Sequence, residues 1–182
     1  MKFSQTKLPG VVIVEPDIIG DQRGFFLETY QVQKFTEAGI EANFIQDNHS
    51  GSQKGTLRGL HYQIRYSQGK LIRVVAGEIF DVAVDIRQRS PSFGKWVGVR
   101  LSADNKNQFW VPEWFAHGFY VITDWAEVVY KVTDIYAPEW ERTIAWNDPE
   151  IGIEWPIPKG AHPLLSEKDL HVKNLQEADL FE

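Results

Sequence analysis

Gly55-Thr56-Leu57-Arg58-Gly59-Leu60-His61-Tyr62-Gln63 sets a guanidinium, an imidazole and a carboxamide into an otherwise apolar, strand-like run. Polar side chains flanked by aliphatic and aromatic residues in a strand imply a sheet with one face turned towards a cavity that holds water or ligand. In a regular strand successive side chains alternate, so Arg58 and His61 would fall on opposite faces. If both serve one cavity, Gly59 marks a bulge.

Strand signals recur on both sides of this stretch. Val11 to Val14 is a β-branched run between Pro9-Gly10 and Pro16, and Gly20-Asp21-Gln22-Arg23-Gly24 is a turn that delivers Phe25 to Tyr30, with Phe26, Glu28 and Tyr30 on one side. Val32 to Ala38 reads as one short helix stopped at Gly39. From Asn43 to Ser50 alternation places Gln46, Asn48 and Ser50 on one polar face, with Asp47 on the other. Two strands meet at Gly77-Glu78, the second alternating Phe80, Val82, Val84 and Ile86 as a core face against Asp81, Ala83, Asp85 and Arg87 as a polar one.

Turns at Pro91 to Gly94 and Ala103 to Asn107 lead into Trp96 to Leu101 and Gln108 to Val111. Pro112 turns the chain into a strand ending near Ile122. Trp125 to Tyr136 follows, with Val128, Tyr130 and Val132 in register, and Glu141 to Trp146 is the last strand. Beyond it Ser166 is placed to cap a helix running towards Gln176. About ten short strands with one or two short helices predict an antiparallel sandwich or barrel, best a jelly roll.

Composition bounds the function. The 182 residues, 43% hydrophobic with seven Trp, eleven Phe and six Tyr, suit one packed domain spanning 1–182, with an irregular C-terminal extension from about residue 150. A net charge of −6 without a basic stripe argues against a nucleic-acid partner. The lack of cysteine excludes disulfides, thiolate catalysis and cysteine zinc sites. With neither an apolar leader at Met1 to Gly10 nor a membrane-length apolar run, the expectation is a cytoplasmic protein without membrane contact.

Five histidines can each be weighed. His49, His162 and His171 stand in turn-rich or peripheral contexts and are assigned no role. His61 and His117 lie beside glycines in strand or strand-entry contexts, where a ligand can approach closely. Tyr62-Gln63 follows His61 where a metal site would want another histidine or a carboxylate, so the expectation is no metal. His61 instead suits general-base chemistry, since an ordinary imidazole titrates at about 6.5. Lys70 could stabilise an enolate oxygen, or serve as a strand-edge lysine. Tyr130 is either a core tyrosine or a donor aimed into the cavity. Arg23 and Arg58 match phosphate oxygens bidentately, although surface salt bridges use the same residue type.

Taken together, Asp21 to Glu28, Gln46-Asp47-Asn48, Leu57 to Gln63, Asp81 to Arg87, Ala116-His117-Gly118-Phe119, Trp146 to Pro149 and Leu165 to Asp169 resemble the dTDP-4-dehydrorhamnose 3,5-epimerase family. The resemblance implies a cupin-type jelly-roll barrel with a few peripheral helices. It further implies a homodimer that works without metal or organic cofactor on a dTDP-linked 4-keto-6-deoxyhexose. It makes His61 the base flanking the C4 ketone, Asp169 the carboxylate that orients it, Lys70 the enolate stabiliser and Tyr130 the acid on the opposite face. It also implies diphosphate contacts from Arg23 and Arg58, a thymine contact from Glu28 with Phe26 beside the base, and binding positions at Gln46, Asp47, Asn48, His117, Glu141 and Lys168. Relatives that epimerise only C3 or only C5 keep much of this machinery, so a mono-epimerase, or a binding module without turnover, is the alternative.

Overall fold

In the computed structural model, residues 1–170 and 172–182 are described; His171, assigned no role, lies outside them. The chain forms β1 (Lys2–Gln5), β2 (Val12–Glu15), β3 (Ile18–Asp21), β4 (Gly24–Leu27), α1 (Val32–Glu37), β5 (Gln46–Gln53), β6 (Leu57–Gln63) and β7 (Lys70–Ala76). There follow β8 (Glu78–Asp85), β9 (Trp96–Ser102), β10 (Gln108–Val111), β11 (Phe115–Val121), β12 (Trp125–Val132), β13 (Glu141–Thr143) and α2 (Glu167–Leu170).

Two antiparallel sheets, β1-β2-β10-β7-β12-β5 and β13-β6-β11-β8-β9, face each other as a cupin-type jelly roll. Between them lies a core that includes Ile72, Val74, Phe109 and Val128 from the first sheet and Ile79, Ala83, Phe115 and Val121 from the second. The outer face of the first sheet is covered by α1 and its flanks, where Phe35 and Ile40 pack on Val12, Val14 and Leu71. The segment after Asp148 covers the second sheet, with Ile151 and Leu175 against Val82, Val84 and Ile86. Asp148 pins that segment, its carboxylate accepting from the Glu150 and Leu175 amides at 2.7 and 2.6 Å.

Several expectations change. The strands that meet at Gly77 belong to different sheets, so the glycine, at φ +72°, is a corner where the chain crosses between layers. A Cβ there would lie 2.0 Å from the Trp125 carbonyl oxygen. The polar face expected on β8 is interior: Asp81, Ala83 and Asp85 are as buried as Val82 and Val84, because the barrel core takes one face and the C-terminal segment takes the other. Finally, the helix expected to run towards Gln176 stops at Leu170, and a separate 3₁₀ turn forms at Leu175–Glu177. Likewise, β13 covers only three residues of the strand expected from Glu141 to Trp146, and the strands among the described residues number thirteen against the ten or so expected.

Candidate active site

Gly59 decides where β6 points its polar groups. Along the β6–β11 ladder Arg58 faces Phe119 and His61 faces His117, so three steps on β6 match two on β11, which is a one-residue bulge. The bulge resets the alternation and brings both Arg58 and His61 to one cavity. Only glycine fits at its centre. Gly59 has φ +127°, and a Cβ would lie 2.6 Å from Gly118 Cα and 2.8 Å from the His117 carbonyl oxygen. The carboxamide of Gln63 does not serve the cavity in the same way: buried, it bonds the carbonyls of Tyr66 and Ile135 and the amide of Ala137, tying two loops together.

The cavity has a volume of about 350 Å³ and opens between the two sheets. From the second sheet come Arg58 and His61 on β6, His117 on β11 and Glu141 on β13. From the first come Gln46, Asn48 and Ser50 on β5, Lys70 on β7 and Tyr130 on β12, while Ser166, Lys168 and Asp169 close it from α2 and its approach. The face read by alternation on β5 is therefore the cavity face.

Asp169 reaches His61 because the chain before α2 is clipped to the start of β6. The Leu57 amide donates to the Leu164 carbonyl at 3.0 Å, and the Leu164 amide donates to the Gly55 carbonyl at 2.8 Å. His61 Nε2–H then donates to Asp169 Oδ1 at 2.6 Å, which leaves Nδ1 free to accept a proton. Burial alone would raise the Asp169 carboxyl, but hydrogen bonds from His61 and Ser166, with the charges of His61 and Lys168, outweigh it and hold the group below its ordinary value. It stays a carboxylate.

A second pair lies across the ladder, His117 Nε2 to Asp81 Oδ1 at 2.6 Å, with Asp81 wholly buried. Each ring thus uses one nitrogen on a carboxylate, and among the described residues no three His, Cys, Asp or Glu side chains converge as a metal site would require. Lys70 is 8% exposed, and burial pulls its ammonium down to about 8 against the opposing pull of Glu141 and Asp81. Burial pushes the Tyr130 phenol up, partly offset by Arg58 and Lys168, so it enters any reaction protonated. At the rim Glu141 accepts from Lys168 at 2.9 Å and from the Tyr136 hydroxyl at 3.1 Å.

Ten of the fourteen residues singled out in the sequence line this cavity, and four do not. Asp47 points outward to Lys131 at 2.9 Å, as strand parity requires. Arg23, Phe26 and Glu28 belong to the β3–β4 ribbon and its exit. The Arg23 side chain is 90% exposed and folded back on Asp21, Phe26 is 69% exposed, and Glu28 pairs with Lys34 at 2.7 Å. Reading the sequence missed Tyr136, Ser166 and Asp81. Tyr136 lies in an irregular segment without a periodic signal, Ser166 read as a helix cap, and Asp81 read as one member of a solvated face.

The model of the family described as dTDP-4-dehydrorhamnose 3,5-epimerase matches residues 5–177. A dTDP-4-dehydrorhamnose 3,5-epimerase of Pseudomonas aeruginosa is 56% identical over 182 residues, covering 100% of this chain and 99% of the relative. The chain belongs to the dTDP-4-dehydrorhamnose 3,5-epimerase family. Among solved structures, a dTDP-6-deoxy-D-glucose-3,5-epimerase from Legionella pneumophila in complex with dTDP-4-keto-L-rhamnose superposes with a TM-score of 0.94 at 52% identity, covering 98% of this chain and 94% of that one. A 3'-monoepimerase from Streptomyces bikiniensis in complex with dTDP-quinovose matches with a TM-score of 0.87 at 33% identity, over 94% and 86% of the two chains. The 3,5-epimerase family fold therefore houses both outcomes, and only the disposition of groups around the sugar can separate them.

Proposed function

We propose that this protein inverts C3 and C5 of dTDP-4-dehydro-6-deoxy-D-glucose to give dTDP-4-dehydro-L-rhamnose. The observation that carries the reading is that His61, on one sheet, and Tyr130, on the other, line the same cavity while Lys70 enters it from beside Tyr130's strand. A hydrogen on a carbon next to a ketone is acidic only if the enolate is stabilised, and inversion needs a base on one face and an acid on the other.

In this reading His61 Nδ1 takes the proton from C3 or C5 as the C–H pair moves into the C4 carbonyl and creates an enolate. The Lys70 ammonium, in surroundings of low polarity, compensates the new negative charge. As the carbonyl re-forms, Tyr130 returns a proton to the opposite face of the carbon, and His61 and Tyr130 re-equilibrate with water before the second centre reacts. Asp169 holds the His61 tautomer and stabilises the imidazolium. The chemistry is redox-neutral and calls for no electron carrier, and its residues suffice without a metal.

Arg58 suits the diphosphate, with Gln46, Asn48, His117, Glu141 and Lys168 around the remaining polar groups. For Arg23, Phe26 and Glu28 the reading requires a second copy of the chain. The β3–β4 ribbon exposes Ile18, Ile19, Phe25 and Phe26 together, an apolar surface that suits a homodimer, and a ribbon laid on the partner would carry Arg23 to the partner's cavity mouth. Asp47 takes part through its backbone at most. The N-terminal core and C-terminal cover act as one domain in this view. Among the described residues no helix is long and apolar enough to cross a membrane; a nucleotide-sugar substrate suits a cytoplasmic protein, which is part of this reading.

Incubating the purified protein with the substrate, reducing the products with borohydride and identifying the sugars tests the reading. L-configured 6-deoxyhexose supports it. Inversion at C3 alone would move the protein to the mono-epimerases, and tight dTDP binding without any inversion would make it a binding module.

A further inference from the structure

His61 and His117 both line the cavity and each bonds a carboxylate at 2.6 Å, but the two carboxylates differ at their outer oxygens. The outer oxygen of Asp169 accepts from the Ser166 hydroxyl at 2.7 Å, whereas the outer oxygen of Asp81 is buried with no hydrogen-bond partner. Ser166 and Asp169 stand three apart at the start of α2, the spacing of a capping box, in which the serine hydroxyl would take a backbone amide and the carboxylate would reach back to the serine's own amide. Here that exchange is broken. The Asp169 carboxylate is spent on His61, and the serine hydroxyl turns from the backbone to the carboxylate while the Asp169 amide still bonds the Ser166 carbonyl at 2.9 Å.

We propose that Ser166 is a positioning residue for the proton-transfer reaction, fixing the Asp169 carboxylate so that one oxygen faces His61 and the imidazole keeps the tautomer and orientation that proton transfer needs. The proposal rests on the epimerase reading for its kinetic consequence but not for its physical one. Asp169 is 2% exposed, so no bulk water can replace the hydroxyl without rearrangement. Losing that donor leaves the carboxylate charge less dispersed and its outer oxygen unsatisfied. The charge then acts more strongly on the imidazolium and stabilises it, which raises the pH at which His61 loses its proton. A carboxylate free to turn also relaxes the ring orientation.

The test uses Ser166→Ala and Ser166→Thr in the full chain. The ring proton resonances of His61, assigned by comparison with His61→Asn, are titrated by NMR without substrate. Ser166→Ala is expected to move the His61 midpoint upward by roughly half to one pH unit, and Ser166→Thr, which keeps the hydroxyl, to leave it in place. With substrate, the acid limb of kcat/KM moves upward by the same interval in Ser166→Ala while KM changes less than about twofold. A His61 midpoint unmoved in folded Ser166→Ala overturns the proposal whatever the activity. An inactive wild type with a shifted midpoint would overturn the epimerase reading and leave the proposed coupling standing.

Discussion

Gly59→Ala tests the bulge on which the site depends. A residue with a Cβ held at φ +127° costs about 1–3 kcal/mol in backbone strain. The added methyl would also lie 2.6 and 2.8 Å from backbone atoms of Gly118 and His117, which are part of the β6–β11 ladder and cannot rotate aside as a side-chain tip could. Overpacking of this kind costs about 1–3 kcal/mol more, so the total is about 2–6 kcal/mol. At about 2–4 °C per kcal/mol for a chain of this length, the melting midpoint should fall by roughly 10 °C. Gly24→Ala is the matched control. Gly24 has φ +132° with nothing within 4 Å of the new Cβ, so it carries only the strain. Calorimetric scans of both variants, with turnover measured well below the transition, are expected to show a small loss for Gly24→Ala and a large one for Gly59→Ala, whose remaining folded protein loses most of its turnover as Arg58 and His61 shift. Equal, small losses with full activity in both would refute the claim that the bulge is sterically reserved for glycine and aims the two side chains.

Lys70→Met should abolish turnover yet stabilise the protein at pH 7 by about 2–3 kcal/mol, because an ammonium whose folded value is lowered to about 8 destabilises the fold while it is charged. The gap between variant and wild type should close as pH rises from about 8 to 10.5, where wild-type Lys70 becomes neutral in the fold; a less stable variant at pH 7 contradicts this. Burial would raise Asp85, but hydrogen bonds from Arg87, Ser90 and Ser92 outweigh it and hold the carboxyl at about 2. Asp85→Asn should therefore lose up to about 2 kcal/mol above pH 4, a deficit that disappears as pH falls from about 3.8 to 2 and wild-type Asp85 is protonated in both states. Denaturant titrations across that interval measure it, and a pH-independent gap would show that the charge is not what stabilises. Co-expressing His61→Ala with Arg23→Ala, each inactive alone, should restore about a quarter of wild-type activity if the ribbon serves the partner's cavity, since half of the dimers then have one intact site. No recovery means that Arg23 acts within its own subunit.

Much of the site was readable because strand parity is a strong constraint. Gln46, Asn48 and Ser50 share the cavity face as alternation requires, Asp47 leaves it, and the disagreement in parity between Arg58 and His61 pointed to Gly59 as the irregular residue. Parity says which residues share a face, but not what covers that face. Asp81 and Asp85 therefore looked solvated although one is held by His117 and the other by Arg87 and two serines. A glycine at φ > 0 serves a hairpin and a corner equally well, so Gly77 could not disclose that its two strands enter different sheets. Ser166 carried a capping signal whose use was decided by His61, more than a hundred residues away in sequence. Arg23, Phe26 and Glu28 show a further boundary: residue type indicates what a side chain can bind, but not whether the fold carries it to the cavity, and none of the three lines it.

The measurement that bears most directly on the proton-transfer reading is exchange in heavy water, with wild type and folded His61→Asn run side by side on dTDP-4-keto-6-deoxyglucose. Wild type should place deuterium at both C3 and C5, and the variant at neither, since the loss of a general base costs about 10²–10⁴-fold. Deuterium entering both carbons at the wild-type rate in His61→Asn, or only one carbon in wild type, would contradict a single histidine base acting on both sides of the ketone.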